Sequence, residues 1–538
     1  MKYIDYTVWG VDGIELFFVI LMLLTTVFLL SVLSYKILQI LQLGGYRLKE
    51  FKLWYKSFGF TIFFRFCFLS FLICLGSLMY ISAFGDKVGW RYLGFIFFVV
   101  LSLLFIKFST KDNKTPLKKT PRIVRLYITT VVLYVIVVLI FSFIPTGILE
   151  YAHFGLLPLF IIPIVLLAHL INKPIEIKIN QGYIYSAKSK LSTMPDLTIV
   201  GITGSFGKTT TKNILTSLLS LKYRVCSTPS SFNTPMGICK TINNDLNDSH
   251  QVLILEMGAR YKGDILELLE IASPKIAIIT SIGNQHLTTF GNYDTVLDTK
   301  FEIVSQLPQD GIAILDGTNP DIVARSSEIE QAILVGSDNS QFKCGNINTT
   351  QYGTSFELHL QNQVLQLSTQ ILGRHVPNLI ALCVATSISM GITDLNYIAD
   401  AISKLEPIPH RLQLLQGVND NVIIDNAYSS NLCGATNALE ILSSFADRIK
   451  IIITPGIVEQ GDKTQNTNIE LGIEIAKVCD YAILIGTNAT YIKNGIEQYS
   501  NHTKIILVDT LKLAIDSLSS IVGKKATLFE NDLPDNMV

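Results

Sequence analysis

Residues 196–220 read DLTIVGITGSFGKTTTKNILTSLLS, and this stretch decides the fold of the more polar part of the chain. Residues 197–202 form a short apolar run rich in β-branched side chains, and apolar residues recur at helical spacing over 210–220. The stretch therefore predicts a strand, a glycine loop and a helix. Such a loop exposes backbone N–H groups at a helix N-terminus, where the helix dipole favours phosphate.

The loop contains the residue types that bind nucleotide phosphates. Gly204 and Gly207 let the backbone approach a ligand closely. Lys208 adds a positive charge, and the hydroxyl of Thr209 suits a magnesium ion. The strict Walker pattern requires a glycine five places before Gly207, but Ile202 stands there. Nucleotide binding is still favoured over a structural glycine turn, because the loop lies between a strand and a helix.

The composition argues against several classes of protein. The chain has 538 residues, too many for one ordinary domain, and its formal net charge is zero, so no nucleic-acid partner is expected. Its eight cysteines include no CxxC pair, which gives no support to a zinc site or a disulfide framework. Scattered thiols fit a catalytic part in the reducing cytosol. The mean hydropathy is high, +0.41, and the apolar residues concentrate in the first third.

The first third predicts an α-helical membrane domain, residues 1–172. A helix needs about 20 apolar residues to cross a bilayer. Apolar runs that reach or approach this length lie near 14–35, 60–84, 90–107, 125–145 and 153–171. The sequence therefore predicts about five spans, of which the third is the shortest. The first run lacks a preceding basic region and a following cleavage site, so it does not resemble a cleaved signal.

Basic residues predict the orientation of this domain in the lipid bilayer. They concentrate after the first, third and fifth apolar runs, for example at Arg47, Lys119 and Lys178, whereas Asp5 and Asp12 precede the first run. The positive-inside rule then puts the N-terminus outside the cell and everything after the fifth run in the cytoplasm. The catalytic part is therefore expected on the cytoplasmic side of a multi-pass cell-membrane protein.

Three further polar residues follow predicted strands. The apolar run 252–255 ends in Glu256, and ligand groups gather at the carboxyl ends of parallel strands, so this carboxylate could hold magnesium. His286 follows the strand predicted at 276–280, and Lys300 falls on the helix predicted after it. Taken alone, Glu256 could equally be an ordinary strand-end charge. A lone histidine or lysine is more often structural or solvated.

The segment TGSFGKTT resembles the TGxxGKT[TS] loop of the Mur ligases, the ATP-dependent amide ligases of peptidoglycan precursor synthesis. This pattern is more specific than the Walker pattern, and it accounts for Ile202. Other family motifs follow in the same order, over roughly residues 195–538, and LEMGA and AYSSN are most similar to the MurF branch. The resemblance implies that ATP contacts the loop residues Gly204, Ser205, Gly207, Lys208, Thr209 and Thr210.

The resemblance also implies a metal site. SSFNTPMG contains the loop asparagine of the family, Asn233 here, and LEMGA contains its magnesium-binding glutamate, Glu256. TSIGNQHL contains the metal-binding histidine, His286, and DTKFEI resembles the segment whose lysine is carbamylated, Lys300. Two magnesium ions are expected. The implied metal ligands are Thr209, Glu256, His286 and Lys300, and the implied catalytic residues are Lys208, His286 and Lys300.

Three later motifs imply nucleotide contacts. GRHVPNLIAL resembles the segment whose asparagine contacts adenine, Asn378, and PHRLQLL offers Arg411 as the arginine that reaches the phosphates. IIDNAYSSN resembles the segment whose first aspartate binds the ribose, Asp425 here, although the usual second aspartate is Asn426. ITPGIVEQG resembles a later C-terminal signature.

The resulting fold class is multi-domain: an α-helical membrane domain, an α/β P-loop central domain and an α/β Rossmann-like C-terminal domain. The predicted boundaries are a linker at 173–195, the ATP-binding domain at 196–404 and the last domain at 405–538, with a hinge near 400–410. The membrane spans stand where the family has a domain that binds a UDP-sugar. This departure puts a UDP-linked substrate in doubt and leaves the ATP chemistry intact.

The resemblance implies an ATP-dependent acid–amino-acid ligase that works through an acyl phosphate. The expected partners are a carboxylate-bearing peptide precursor of the cell envelope, an amino-acid or dipeptide amine, and the lipid bilayer. Alternatives with the same chemistry are MurF activity on a UDP-linked peptide with D-alanyl-D-alanine, and polyglutamate-type ligation. A different class is a membrane transporter or scaffold with a regulatory ATPase-like domain. The joint presence of Lys208, Glu256, His286 and Lys300 argues against that class.

Overall fold

The computed structural model describes residues 13–84, 100, 116–143, 156–336, 340–360, 363–428, 431–500 and 502–532. Contacts divide the chain into two compact units between Ile179 and Asn180. The first unit is helical, and the second contains two β-sheets with helices on their faces. The predicted fold class, an apolar helical part followed by two α/β parts, is confirmed. The predicted domain boundaries stay predictions.

The first unit consists of apolar helices. Three helical segments of the described part are long and apolar enough to cross a membrane, which suggests a membrane anchor: Ile20–Leu43, Pro121–Ser142 and Leu156–Ser192. The third predicted span, near 90–107, lies outside the described residues except for Val100. The number of spans and their orientation therefore stay predictions. The helices are α1 (Gly13–Leu43), α2 (Leu48–Trp54), α3 (Phe60–Phe84), α4 (Pro121–Ser142) and α5 (Ile161–Ser192).

Polar contacts tie these helices together. The hydroxyls of Ser34 on α1 and Tyr134 on α4 form a hydrogen bond among buried apolar side chains. Near the other end of α4, Arg125 contacts Glu176 of α5 at 2.7 Å. Helix α5 ends only at Ser192, so most of the predicted linker is helical.

The second unit begins with a nine-stranded sheet, here called the larger sheet, in the order β2-β3-β1-β4-β5-β6-β7-β8-β9. The first seven strands in this spatial order, β2 through β1 to β7, pair in parallel. Strands β8 and β9 then extend the sheet through antiparallel pairs. The strands are β1 (Thr198–Thr203), β2 (Val225–Ser227), β3 (Val252–Glu256), β4 (Ile276–Ile279), β5 (Ile312–Asp316), β6 (Ala332–Val335), β7 (Phe342–Thr350), β8 (Gly353–Leu360) and β9 (Gln363–Thr369).

Helices cover the larger sheet because its central strands are apolar on both faces. Strand β3 is buried along its whole length. The apolar side of helix α6 (Lys208–Leu219) packs against helix α12 (Val376–Ser389) over the sheet. The predicted strand, glycine loop and helix over 196–220 are present as β1, the loop and α6. The helices are α6 (Lys208–Leu219), α7 (Pro235–Lys240), α8 (Asp264–Leu269), α9 (Leu287–Phe290), α10 (Tyr293–Phe301), α11 (Pro320–Ser326), α12 (Val376–Ser389) and α13 (Leu395–Ser403).

A six-stranded sheet, here called the smaller sheet, follows in the order β10-β11-β15-β12-β13-β14. Strand β10 is antiparallel to β11, and the other pairs are parallel. Its elements are β10 (Gln413–Gln416), β11 (Val422–Asn426), α14 (Leu432–Ser443), β12 (Ile449–Thr454), α15 (Thr464–Val478), β13 (Tyr481–Ile485), α16 (Ala489–Tyr499), β14 (Lys504–Val508), α17 (Leu511–Ser520) and β15 (Lys525–Glu530).

The close contact of α15 with α16 gives a stability prediction. A Cβ added to Gly472 would lie 2.1 Å from the carbonyl oxygen of Ile492, so Gly472→Ala must push two helices apart. We expect a loss of at least about 2 kcal/mol of stability. Helical Gly182, where an added Cβ meets nothing within 4 Å, is the matched control, and Gly182→Ala should be neutral or slightly stabilising. Thermal unfolding of the detergent-solubilised chain measures both. Equal melting temperatures for the two variants would contradict the packing described.

Candidate active site

The carboxyl ends of three neighbouring parallel strands bring the predicted loops to one edge of the larger sheet. Strand β1 lies between β3 and β4, with Ile202 paired to Glu256 and Thr203 paired to Ile279. The glycine loop after β1, Glu256 at the end of β3 and the segment after β4 therefore share this edge. Ligands of open α/β sheets bind at such an edge.

Glu256 is the most tightly held residue of this edge. Its carboxylate is 1% exposed, and it accepts a hydrogen bond of 2.9 Å from the Thr209 hydroxyl and one of 3.1 Å from the Asn233 amide. The Nζ of Lys212 lies 3.7 Å away. The structure thus brings together three residues that the motifs singled out, and it adds Lys212, which the sequence analysis did not select. Lys212 lies one helical turn after Lys208, and this spacing could have indicated that both lysines face the same side of the helix.

The glycine loop leaves the start of α6 open. Gly207, with φ of 81°, precedes the helix, and no side chain caps the helix N-terminus. The N–H groups of Ser205 and Phe206 already donate to Ser281, so these two donors are engaged within the protein. The uncapped first turn of α6, which contains Thr209 and Thr210, is therefore the part of the loop that suits a phosphate group.

Lys208 lies folded back over the loop. Its Nζ donates to the carbonyl oxygens of Gly204 at 2.7 Å and Ser205 at 3.3 Å. Burial lowers the pKa of Lys208 to about 8, the negative charge of Glu256 opposes this shift, and the positive charge of Arg411 adds to it. The positive charge of Arg411, which precedes β10, therefore acts on Lys208 electrostatically.

Lys300 is a buried lysine on α10, 1% exposed. Burial, followed by the charge of Lys208, holds its pKa well below the usual range. The negative charges of Asp264 and Glu302 oppose this lowering of the pKa, and the Nζ lies 5.8 Å from the Phe290 ring centroid. A buried neutral amine is the form that carbamylation requires, so the environment fits the predicted modification.

His286 makes a contact that the motifs did not predict. Its Nδ1 forms a hydrogen bond with Glu459, and the same carboxylate forms an ion pair with Arg260. Glu459 lies in the loop after β12 of the smaller sheet, so one carboxylate joins the two sheets. The sequence analysis did not select Arg260 or Glu459, although Glu459 lies inside the motif ITPGIVEQG. Burial lowers the pKa of His286, and the bond to Glu459 acts in the opposite direction.

Asn378 lies where it could hold a base. Its Nδ2 donates to Asp316 Oδ1 at 2.8 Å, whereas its own Oδ1 is buried and accepts no hydrogen bond from the described part of the chain. A Cβ added to Gly336 would lie 2.5 Å from that oxygen. A buried acceptor without a partner is costly, and a ligand amino group would satisfy it. The exocyclic amine of adenine is such a donor, so the buried oxygen of Asn378 fits the predicted adenine contact.

Arg411 and Asp425 come from the smaller sheet. Arg411 donates to the carbonyl oxygen of Tyr428, and burial lowers the pKa of its guanidinium. Asp425 accepts from His410 Nδ1 at 2.7 Å and from the Ala427 N–H at 3.1 Å. The carboxylate predicted to bind ribose is therefore already oriented by two protein groups. His410, like Lys212, Arg260 and Glu459, is a residue that the motifs did not single out as a site residue.

The departure from the family motif at Asn426 has a structural reason. Its Nδ2 donates to the Glu530 carboxylate at 2.8 Å, and its Oδ1 accepts from the Leu412 N–H at 3.2 Å. An aspartate could make only the second contact, and it would put two buried carboxylates side by side. Ser429 and Ser430 of the same motif lie outside the described residues.

These residues fit ATP and magnesium. The oxygens of Thr209 and Glu256 are hard ligands suited to magnesium, and the N-terminus of α6, Lys208 and Arg411 suit phosphates. His286 lies near Lys208, whose charge affects its pKa, and so does Lys300. The described residues show no direct hydrogen bond between His286 and Lys300. The individual roles of the site residues stay predictions.

Comparisons with known proteins find similarity to Mur ligases. Residues 202–386 match the model of the Mur ligase middle domain. The UDP-N-acetylmuramoyl-tripeptide–D-alanyl-D-alanine ligase of Escherichia coli K12 is 27% identical over 336 residues, 61% of this chain and 73% of that enzyme. The enzyme of the same name from Mycobacterium tuberculosis H37Rv is 31% identical over 255 residues, 46% of this chain and 49% of that enzyme.

Solved structures agree on the fold. A crystal structure of MurF from Acinetobacter baumannii has a TM-score of 0.60 and 22% identity, and covers 66% of this chain and 78% of its own. The MurF ligase of Thermotoga maritima, solved in complex with ADP, has a TM-score of 0.59 and 24% identity, and covers 66% and 81%. Both leave about a third of this chain unmatched.

The unpaired oxygen of Asn378 gives a prediction about base recognition. Asn378→Ala should weaken ADP binding roughly tenfold, because one hydrogen bond to the base is lost. Inorganic tripolyphosphate has no base, so its binding should not change. Calorimetric titration of the full chain with both ligands measures the difference. An equal loss for the two ligands would contradict the assignment of Asn378 to the base.

Proposed function

We propose, from the premise that this chain belongs to the Mur ligase family, that it is an ATP-dependent acid–amino-acid ligase anchored in the membrane. The matches to the Mur ligase middle domain and to MurF ligases support the resemblance that the ordered motifs indicated. The ligase class rests on the same matches. The observation that carries the proposal is the shared site of the two sheets. Glu256 and Lys208 at the edge of the larger sheet each interact electrostatically with Arg411, which precedes the smaller sheet, and Thr209 donates to Glu256 at 2.9 Å.

The chemistry explains why two sheets are needed. A carboxylate and an ammonium group do not condense in water, so the acid must be activated. In the proposed reaction the carboxylate oxygen attacks the γ-phosphorus of ATP, ADP leaves, and an acyl phosphate forms. The unprotonated amine then attacks the acyl carbon, phosphate leaves, and an amide bond remains. The larger sheet holds the nucleotide, and the smaller sheet supplies Arg411 to the phosphates.

Each residue has a defined part in this proposal. The N-terminus of α6, Lys208 and Arg411 offset the charge that spreads over the transferring phosphoryl group. Thr209 and Glu256 would hold one magnesium ion, and His286 with a carbamylated Lys300 would hold a second. Magnesium, when bound, lowers the repulsion between the anionic carboxylate and the anionic phosphate. Asn378 and Asp425 orient the base and the ribose.

The proposed acid substrate is a peptide precursor of the cell envelope, met at the cytoplasmic face of the membrane. The apolar helices of the first unit support this, because they stand where the family has its UDP-sugar domain. A second candidate is addition of D-alanyl-D-alanine to a UDP-linked tripeptide, which the names of the relatives favour. Mass spectrometry of envelope precursors from cells lacking the protein separates the two. A lipid-linked peptide should accumulate, whereas accumulation of a UDP-linked tripeptide would favour the second candidate.

The phosphate loop provides a direct test of ATP use. Lys208→Ala should abolish ATP turnover, a fall of at least about 100-fold, because charge on the transferring phosphoryl group loses a direct partner. Lys512→Ala, which removes an exposed lysine from α17, is the matched control and should leave turnover unchanged. Phosphate release by the purified full chain measures both. Near-normal turnover by Lys208→Ala would remove the central role of the loop.

Carbamylation of Lys300 gives a rescue prediction. Lys300→Ala should lose most activity and regain part of it with added formate or acetate, because a small carboxylate can replace the anionic oxygens of a carbamate. The same additions should not rescue Lys208→Ala, whose missing group is a cation. Activity measured against carboxylate concentration tests this. Rescue of both variants, or of neither, would contradict a carbamate at position 300.

A further inference from the structure

Glu459 uses both oxygens of one carboxylate on residues of the opposite sheet. One oxygen contacts Nδ1 of His286, and the other contacts the guanidinium of Arg260. The Glu459 side chain is only 13% exposed, so water screens these contacts little. The 3.5 Å contact from the Thr288 N–H to the Glu459 carbonyl oxygen lies beside them. The loop after β12 therefore docks on the segment that carries His286.

The backbone at this contact is strained on both sides. Glu459 has φ of 59°, and His286 has φ of 53°, a region that non-glycine residues seldom adopt. Each such residue costs on the order of 1 kcal/mol or more, and such strain concentrates at functional sites. Two strained residues that contact each other across two sheets are hard to explain by packing alone. The strain places both side chains at this junction.

The contact also fixes the chemistry of the His286 ring. A carboxylate oxygen accepts a hydrogen bond from a nitrogen that carries a proton. The contact with Glu459 therefore favours the tautomer of His286 that has its hydrogen on Nδ1. The lone pair of a neutral imidazole is then on Nε2, the nitrogen that remains to face a cation. With Nδ1 unbound, the ring could rotate, and the hydrogen could move to Nε2. That nitrogen would then be unable to bind a metal ion.

We propose that Glu459 is a positioning residue that sets His286 for a divalent cation only when the two sheets are closed on each other. The ion pair between Arg260 and Glu459 holds the loop after β12 against the larger sheet. In that position the same carboxylate can accept the hydrogen bond that orients the imidazole of His286. The inference rests on the proposed function, because it takes His286 as a cation ligand. It adds a physical link between closure of the smaller sheet and completion of the cation site.

A charge swap separates closing from positioning. Glu459→Arg puts two arginines together and removes the acceptor for Nδ1–H, so both functions should be lost. The double variant Arg260→Glu with Glu459→Arg restores an ion pair between the sheets. It does not restore a hydrogen-bond acceptor at position 459 for His286 Nδ1–H. Glu459→Gln keeps an oxygen acceptor for His286, and Glu459→Ala keeps neither function. All variants are made in the full chain, purified in detergent with ADP.

Two measurements read the two functions. Amide hydrogen exchange in residues 286–291 reports closure, since the Thr288 N–H lies at the junction. Pulsed electron paramagnetic resonance with Mn²⁺ as the probe reports coupling of the ion to an imidazole nitrogen, and titration gives its affinity. His286→Ala identifies the coupling that belongs to His286.

We expect the double variant to regain protection from exchange while its Mn²⁺ affinity stays about 10–100-fold below wild type, with no imidazole coupling. Glu459→Gln should keep the coupling, and Glu459→Ala should lose it. Normal coupling in the double variant, or equal coupling in Glu459→Gln and Glu459→Ala, would overturn the positioning role. Wild-type protein that binds Mn²⁺ and ADP without imidazole coupling also overturns it. Wild-type protein that binds no ADP instead contradicts the proposed function itself.

Discussion

The buried carboxylate of Glu256 is the constraint on which the site depends. A charge removed from water costs several kcal/mol unless partners compensate it. Here Thr209 and Lys212 of α6 and Asn233 of the loop before α7 provide those partners within 3.7 Å, and the strand order brings these two segments to the edge where β3 ends. The start of α6, the loop around Asn233 and the end of β3 are thereby held together before a nucleotide binds. The cations Lys208 and Arg411 then face the same negative charge from two sheets, and both feel its field.

The sequence predicted the elements whose residues act locally. The strand, loop and helix over 196–220 follow from short-range periodicity and glycine placement, and so do the strand that ends in Glu256 and the helix that carries Lys300. Glu459 was missed for a physical reason: its partners His286 and Arg260 are more than 170 residues away along the chain, and only the docking of two sheets brings them together. Asp316 and Asn378, 62 residues apart, and His410 and Asp425, 15 residues apart, are likewise brought into contact by the tertiary fold, each pair within one sheet and its flanking segments. Lys212 was missed because a lysine on a helix is usually solvated, whereas this one is 1% exposed beside a carboxylate.

The helical unit and the α/β unit differ in how much apolar surface they leave exposed. Many apolar side chains of α1, α3 and α4 stay exposed, such as Phe64 at 62% and Ile128 at 56%, which in water would be unfavourable and in a bilayer is ordinary. The α/β unit instead buries its apolar strands under its own helices. Under the proposed function, one chain combines a membrane anchor with a nucleotide site. Such an anchor would concentrate the ligase where membrane-bound precursors are found, and the chemistry of amide formation itself does not require a separate domain for a soluble nucleotide-sugar.

The central claim is that this chain couples ATP to formation of one amide bond. The most direct measurement is mass spectrometry of the products formed by the purified full chain in lipid nanodiscs with ATP, magnesium, an envelope peptide precursor and a dipeptide amine such as D-alanyl-D-alanine. We expect a product whose mass equals acid plus amine minus water, formed in a one-to-one ratio with ADP and only when all components are present. ADP formed at the same rate without acid or amine, with no coupled product, would contradict it.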